Sequence, residues 1–144
     1  MLVQQILKAK SDDGVVTIPR GTTVGQAAQL LSTRKIGAVV ISDDGKTVAG
    51  IVSERDIVRE LGSKGASCMT DLVDDLMTSK IISCTRTETS DEVLAKMTAG
   101  RFRHMPVLEG NEMVGLISIG DVVKAQLLTL EMEKQALEGM IKGF

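Results

Sequence analysis

The hydrophobic positions of the chain change their spacing in a regular order. Compact apolar runs at 38–41 and 48–52 predict two buried strands, and the Asp44-Gly45 pair between them predicts a hairpin turn. Ahead of the hairpin, apolar residues recur at i, i+3, i+4 and i+7, the spacing of one helix face: Val24, Ala27, Ala28 and Leu31. A short β-branched strand is expected at 15–18, and a further helix after the hairpin. The predicted unit is therefore strand, helix, strand, turn, strand, helix.

The second half of the chain repeats this unit with a shift of 65 to 66 positions. Strands are expected at 81–84, 105–108 and 113–117, and Thr89-Ser90-Asp91-Glu92 is a capping box that starts a helix. Every length difference between the halves falls where a turn would tolerate it. We predict an α/β (α+β) protein with two β-α-β-β-α repeats, at 1–66 and 67–144, whose small sheets are covered by helices.

Three segments lie outside the repeated unit or link its copies. The N-terminal residues Val3, Ile6, Leu7 and Lys10 match Val73, Leu76, Met77 and Lys80 at a shift of 70. Residues 62–67 are rich in glycine and serine and predict a flexible connector. The tail at about 121–141 has apolar residues at a 3–4 spacing, interrupted by Lys134. We expect the tail to pack on its own module, and contact with a second subunit is the alternative.

The composition is that of an ordinary globular protein and excludes several partners. Of 144 residues, 43% are hydrophobic and 25% are charged, with a net charge of −2. A chain without a basic excess is poorly suited to nucleic acid, and with no Trp, no Tyr and two Phe it lacks stacking platforms. We see neither a signal peptide nor an apolar run of about 20 residues that would span a bilayer. We therefore expect a cytoplasmic protein, in which Cys68 and Cys84 are reduced thiols.

The sequence offers little for catalysis. His104 is the only histidine, and the chain has no Cys-x-x-Cys, no paired histidines and no phosphate-binding loop motif. The chain therefore offers few residues from which a nucleophile with its base, or a metal centre, could be assembled. We expect neither an enzyme nor a metal site, and a nucleotide-processing enzyme is kept only as a third hypothesis.

Two copies of one heptapeptide are the strongest functional signal. Gly50-Ile51-Val52-Ser53-Glu54-Arg55-Asp56 recurs as Gly115-Leu116-Ile117-Ser118-Ile119-Gly120-Asp121. The serine starts a helix, whose free amides suit a phosphate, and an aspartate carboxylate accepts hydrogen bonds from adjacent hydroxyls such as those of ribose. Ser-x-x-Asp is also an ordinary capping pattern, so both interpretations stay open. The glycine in each strand favours close approach of another group, which we interpret as a ligand.

A basic segment, Arg101-Phe102-Arg103-His104, lies where the second repeat passes from helix to strand. Guanidinium and imidazole groups at such a place would hold phosphates through charge-assisted hydrogen bonds. Its counterpart in the first repeat contains Arg34 and Lys35. The alternative is a solvated basic helix end that complements the helix dipole.

Taken together, these motifs resemble those of a tandem pair of CBS (cystathionine β-synthase) domains, a Bateman module. The two Gly-x-x-Ser-x-x-Asp segments carry the resemblance. So do 36–40 and 103–107, which are similar to the family's Ile-Gly-Ala-Leu-Pro-Val and Arg-His-Leu-Pro-Val strands. One departure is Val40, which stands where the family has proline. The resemblance implies a pseudo-twofold arrangement of the repeats and, in a stand-alone bacterial member, a disc-like homodimer.

The resemblance also implies a bound adenosine compound, such as AMP, ADP, ATP, NAD(H) or S-adenosylmethionine, with Asp56 and Asp121 holding ribose hydroxyls. The candidate nucleotide-binding residues are Thr17, Ile18, Lys35, Ile36, Gly37, Ala38, Ser53, Arg55, Asp56, Ser83, Arg101, Phe102, Arg103, His104, Met105, Pro106, Ser118, Gly120 and Asp121. We predict an energy-sensing regulatory module that passes ligand occupancy to an unidentified partner protein. The rival is a constitutive dimerisation module whose Ser-x-x-Asp segments are only caps.

Overall fold

The computed structural model describes residues 1–10 and 14–142. Its helices and strands follow in the order α1 (Val3–Ala9), β1 (Thr17–Ile18), α2 (Val24–Arg34), β2 (Ala38–Ile41), β3 (Gly50–Ser53), α3 (Glu54–Lys64), α4 (Ser90–Gly100), β4 (His104–Glu109), β5 (Glu112–Ser118) and α5 (Ile119–Ile141). Two 3₁₀ helices, Ala66–Thr70 and Val73–Asp75, lie between α3 and α4. The predicted mixture of helices and small sheets is confirmed.

Each of the four longer helices starts with a capping box. The N-cap side chains of Thr23, Ser53, Thr89 and Ser118 each accept a hydrogen bond from the backbone amide three residues later. The side chain at that later position bonds back to the N-cap amide, so two amides of the first turn are satisfied at every start. The sequence therefore specifies where these helices begin.

The chain forms two compact units, which do not coincide with the division at residue 66. The repeat-1 unit contains residues 12–82 and 109–114, and the repeat-2 unit contains 1–11, 83–108 and 115–144. The segment that precedes each repeat in the chain thus belongs to the unit of the other repeat.

The repeat-1 unit is built on a three-stranded sheet. β1 pairs with β2 in parallel, and β2 pairs with β3 antiparallel through the turn at Asp44-Gly45. All four residues of β2 are buried. The core around the sheet consists of apolar side chains from the strands, α2, α3 and the second 3₁₀ helix: Ile18, Val24, Ala27, Leu31, Val39, Ile41, Val52, Ile57 and Val73. One face of α2 is buried with the predicted periodicity.

The repeat-2 unit has a two-stranded sheet, β4 with β5, and the helices α1, α4 and α5. Its buried apolar residues come from every one of these elements: Val3, Ile6, Val93, Met97, Met105, Val107, Ile117, Val122 and Ala125. The strand expected at 81–84 is absent, and only one parallel bridge, Cys84 to Val107, occupies its place.

Pro106 explains the missing strand. In the repeat-1 unit, Val40 donates its amide to the carbonyl of Val16 at 3.1 Å, and Ser42 donates to Ile18 at 2.9 Å. In the repeat-2 unit the second bond is kept, from Leu108 to Cys84 at 2.9 Å, but Pro106 replaces Val40 and has no N–H to donate. The parallel ladder is therefore one bond shorter. Because a proline has no amide for a ladder, the sequence predicts Pro106 at a strand's start or on an edge. Pro106 lies inside β4, and β4 is an edge strand of a two-stranded sheet, so the edge position is the one found.

The glycines of the two heptapeptides accommodate apolar side chains of the preceding segments. A Cβ atom on Gly50 would lie 2.5 Å from the sulfur of Met77, and one on Gly115 would lie 2.7 Å from Cδ2 of Leu7. Met77 and Leu7 are equivalent in the repeat. The close approach that we expected at these glycines exists, but a packed side chain makes it, so the glycines are no argument for a ligand.

Two further expectations need correction. The connector predicted at 62–67 is instead the end of α3 and the start of the first 3₁₀ helix. The tail packs on its own unit only at its start, where Val122 and Ala125 are buried, whereas Leu127, Leu130 and Leu137 are 60 to 62% exposed and Ile141 is 84% exposed. Gly143 and Phe144, at the end of the tail, lie outside the described residues, as do 11–13.

The packing at Gly50 predicts a specific mutational coupling. Gly50→Ala should destabilise the protein by about 1–3 kcal/mol, because the new methyl group overlaps Met77. Combined with Met77→Ala, it should cost clearly less than the two single changes added together, since the shorter side chain leaves room. Urea unfolding of the four proteins measures this coupling.

Gly62→Ala is the matched control. Gly62 lies inside α3 and a Cβ there meets nothing within 4 Å, so alanine should stabilise the protein by roughly 0.5–1 kcal/mol through helix propensity. Additive effects of Gly50→Ala and Met77→Ala would contradict the packing described for this glycine.

Candidate functional site

The N-terminus of α3 holds the first predicted aspartate in a fixed position. Oδ2 of Asp56 accepts hydrogen bonds from the amide of Ser53 at 2.8 Å and from its hydroxyl at 3.0 Å. Oδ1 lies 3.5 Å from the guanidinium of Arg59, whose side chain is 71% exposed. The capping interpretation is therefore correct for Asp56. The partner of Oδ1 is the exposed side chain of Arg59, which solvent readily displaces.

The N-terminus of α5 repeats this geometry with one addition. Oδ2 of Asp121 accepts a hydrogen bond from the amide of Ser118 at 2.9 Å and another from the ammonium of Lys10, also at 2.9 Å. Lys10 also donates to the carbonyl of Leu116 at 2.8 Å. The ion pair is only about a quarter exposed. Lys10 was not among our predicted site residues, although its match with Lys80 in the repeat was a usable signal.

These contacts keep Asp121 ionised. Burial by itself opposes the charged form, but the Ser118 amide and the Lys10 ammonium outweigh it, so the pKa of Asp121 lies below its ordinary value. Both bonds fall on Oδ2, so the carboxylate is oriented through one oxygen, and within residues 1–10 and 14–142 no hydrogen bond to Oδ1 is seen. A capping role and a ligand role are thus compatible in the same side chain.

In both repeats the start of the hairpin's first strand is joined to the start of the last helix. The amide of Glu54 donates to the carbonyl of Gly37 at 2.9 Å, and the amide of Ile119 donates to the carbonyl of Arg103 at 2.8 Å. The two kinds of predicted segment, strand start and Ser-x-x-Asp, therefore meet in each unit. The two segments are separated in the sequence, so local spacing does not predict their contact. In each unit one backbone hydrogen bond makes it.

The residue that caps the end of the preceding helix has a left-handed backbone in both units. Lys35 and Arg101, which are equivalent in the repeat, have φ values of 54° and 57° and end α2 and α4. Both side chains are exposed, as is that of Arg103, while His104 is half-buried. The ring of Phe102 lies against Gly100. Basic groups are thus present at the strand start of the repeat-2 unit, as the sequence predicted.

The other predicted residues occupy varied positions. Ile18, Ala38, Met105 and Pro106 are buried in the strands, and Thr17 and Ile36 are partly buried. Ser83 uses its carbonyl to accept from Lys96 at 3.1 Å. Arg55 and Gly120 are exposed on the first turns of α3 and α5. Their proposed roles toward a ligand stay predictions.

A groove runs between α2 and α3 in the repeat-1 unit, with a volume of about 530 Å³. Its floor and walls include Leu31, Ile36, Ile57 and Val58, and Lys35 and Glu54 are its charged lining residues. Asp56 and Ser53 do not line this α2–α3 groove. It therefore contains the predicted residues Lys35, Ile36 and Gly37 but is separate from the capping carboxylate.

The described residues contain no cluster of His, Cys, Asp and Glu arranged to hold a metal ion. Burial raises the pKa of the Cys84 thiol to about 11, so it is not an activated thiolate at neutral pH. Within 1–10 and 14–142, no helix combines the length and apolar character needed to cross a membrane.

The fold defines a tandem module made of two related repeats of helices and small sheets. The chain belongs to the CBS domain family, whose pattern it matches twice, over residues 6–63 and 73–128. It is 35% identical over 141 residues to the mitochondrial CBS domain-containing protein CBSX3 of Arabidopsis thaliana, covering 94% of this chain and 68% of that protein. Against the Arabidopsis protein CBSCBSPB3 it is 34% identical but spans only 22% of the relative's length.

Solved structures show the same fold. The crystal structure of the CBS-domain containing protein ATU1752 from Agrobacterium tumefaciens is 42% identical, with a TM-score of 0.83, and the alignment covers 88% of this chain and 99% of that one. The CBS domain protein PAE2072 from Pyrobaculum aerophilum, complexed with AMP, is 26% identical, with a TM-score of 0.76 and coverage of 92% and 99%. The predicted tandem pair of CBS domains is confirmed.

The Lys10–Asp121 pair predicts a pH-dependent stability difference. Asp121→Asn should cost about 1 kcal/mol of unfolding free energy at neutral pH, because it removes the charge that pairs with Lys10. The folded-state pKa of Asp121 is lowered, so its contribution is complete above the ordinary carboxyl range and disappears as pH falls through the folded pKa. The wild type and the variant should therefore converge in acid, as followed by urea unfolding at several pH values.

Asp56→Asn is the control, since the partner of Asp56 is the exposed Arg59 and should add little. An equal loss for Asp56→Asn and Asp121→Asn at neutral pH would contradict a stabilising role for Lys10.

Proposed function

We propose that this chain is a regulatory module that binds adenosine-type nucleotides in its two repeats and performs no catalysis. One observation carries the proposal. In each unit the carboxylate at the helix start is fixed through Oδ2 by its own cap, beside a strand start that the backbone ties to the same helix. A preoriented acceptor at the positive end of a helix dipole suits a ribose that carries a phosphate.

The similarity to PAE2072, whose structure is that of a complex with AMP, supports an adenosine-type ligand. AMP, ADP, ATP and NAD(H) all present ribose hydroxyls together with phosphates, so the geometry favours the class rather than one member. In the proposal Asp56 and Asp121 accept from ribose hydroxyls, while Arg101, Arg103 and His104 attract phosphate in the repeat-2 unit.

The two sites are proposed to be unequal. Lys10 places a cation on the carboxylate of the repeat-2 unit, whereas Asp56 faces only the exposed Arg59. With Arg101, Arg103 and His104 at its strand start, the repeat-2 site is the one that we expect to prefer the more highly phosphorylated nucleotides. A cytoplasmic homodimer that passes occupancy to a partner protein completes the proposal, with ligand binding shifting the population of two arrangements.

A second function is supported by the completeness of the caps. Since Ser53 with Asp56 and Ser118 with Asp121 already satisfy each other, the module would fold and dimerise without any ligand. In that case the protein is a constitutive dimerisation module.

Thermal shift with AMP, ADP, ATP, NAD+, NADH and S-adenosylmethionine separates the two functions. A nucleotide supplied at 100 times its dissociation constant should add about 2.7 kcal/mol to the free energy of unfolding. A melting temperature that none of these compounds changes would leave only the dimerisation module.

Site variants locate the binding. Asp56→Ala and Asp121→Ala should each abolish one class of nucleotide site in isothermal titration, because each removes the acceptor for ribose. Glu92→Ala is the matched control, since Glu92 caps α4 by the same bonds but is not a proposed site residue. It should cost similar stability, about 1 kcal/mol, and leave affinity unchanged. If the aspartate variants also keep full affinity, the carboxylates are caps only.

A further inference from the structure

The two capping aspartates receive their second hydrogen bond from different donors. In the repeat-1 unit, Oδ2 of Asp56 accepts from the amide of Ser53 at 2.8 Å and from its hydroxyl at 3.0 Å. In the repeat-2 unit, Oδ2 of Asp121 accepts from the amide of Ser118 and from the ammonium of Lys10, both at 2.9 Å. Lys10 thus takes on Asp121 the place that a serine hydroxyl takes on Asp56.

The hydroxyl of Ser118 is therefore held less firmly than that of Ser53. Its oxygen accepts from the amide of Asp121 at 3.2 Å, as the capping pattern requires. Burial opposes the charged form of Asp121, and among the groups that outweigh burial and lower its pKa, this hydroxyl contributes least, after the Ser118 amide and Lys10. A hydroxyl rotates about its C–O bond, so that of Ser118 is available to donate its proton to a ligand.

Lys10 is fixed in this position by a second bond that the other repeat lacks a counterpart for. Its ammonium also donates to the carbonyl of Leu116 at 2.8 Å, and it follows directly on α1, whose inner face is buried. In the repeat-1 unit the equivalent carbonyl, that of Ile51, accepts instead from the backbone amide of Thr78 at 2.9 Å, and the equivalent lysine, Lys80, is exposed. The exchange of donors is therefore a difference between the two repeats.

We propose that Lys10 is a positioning residue of the repeat-2 site: it replaces the serine hydroxyl as a donor to Asp121, so that Ser118 donates its hydroxyl proton to a phosphate oxygen of the bound nucleotide. A hydroxyl donor at the positive end of a helix suits an anionic oxygen. In the repeat-1 site the corresponding hydroxyl stays on Asp56, so that site gains less from a phosphate. This inference rests on the nucleotide-binding function proposed above and adds a residue by which the two sites discriminate differently.

Calorimetric titration with AMP and with adenosine, which lacks the phosphate, tests this role. All proteins carry Asp56→Ala, so that only the repeat-2 site is titrated. Ser118→Ala should weaken the binding of AMP about tenfold, the effect of one hydrogen bond to a charged group, and leave adenosine nearly unchanged. Lys10→Met should reduce the preference for AMP over adenosine to a similar degree, because the hydroxyl then returns to Asp121. With Lys10→Met present, Ser118→Ala should have a clearly smaller effect on AMP.

Lys8→Met is the matched control, since Lys8 is an exposed lysine of the same helix and should leave both affinities unchanged. Urea unfolding of each variant checks that it is folded under the conditions of the titration. Equal losses for AMP and adenosine in Lys10→Met, or an undiminished effect of Ser118→Ala in its presence, would overturn the positioning role and leave the nucleotide site standing. AMP binding that Asp56→Ala removes completely would also overturn it. A wild type that binds neither compound would overturn the proposed function together with this inference.

Discussion

The packing of one apolar side chain on a strand glycine is the constraint on which each unit depends. Met77 covers Gly50 and Leu7 covers Gly115, and each comes from the segment that precedes the other repeat in the chain. Each glycine lies three residues before the serine that starts the last helix of its repeat. A side chain on the glycine would displace the covering segment, and in the repeat-2 unit that segment also supplies Lys10 to Asp121. Stability and the electrostatics of the site are therefore coupled through one close approach.

The duplicated units share their backbone bonds but differ in a few side chains with large consequences. Replacing Val40 by Pro106 removes a strand donor, which leaves a single bridge where the repeat-1 unit has a short strand. The cation that reaches Asp121 comes from Lys10, whereas Asp56 has an exposed arginine. The duplicated repeats therefore share the backbone of the two sites, whereas the charged side chains beside Asp56 and Asp121 differ. This is the physical basis for expecting two unequal affinities.

The two interpretations of Ser-x-x-Asp are not exclusive. Capping requires one carboxylate oxygen, and in both helices Oδ2 performs it. The cap removes the rotational freedom of the carboxylate, so an acceptor for a ligand hydroxyl is oriented before the ligand arrives. The hydrogen bonds that stabilise the helix start thus also reduce the entropy that the carboxylate would lose when a ligand binds. A change in stability on mutation of Asp56 or Asp121 is therefore a poor indicator of whether the residue binds a ligand.

The sequence by itself determined the repeat, the helix starts, the hairpin turn and the strands β2 to β5 to within about two residues, because these depend on local periodicity and caps. It also brought out the family through motifs that recur in order. Only the tertiary structure decided that the leading segments lie in the units of the opposite repeats, that Lys10 meets Asp121, and that the tail is exposed from Leu127 onward. These features depend on contacts between residues far apart in the chain, such as the 111 positions between Lys10 and Asp121, for which local spacing holds no information.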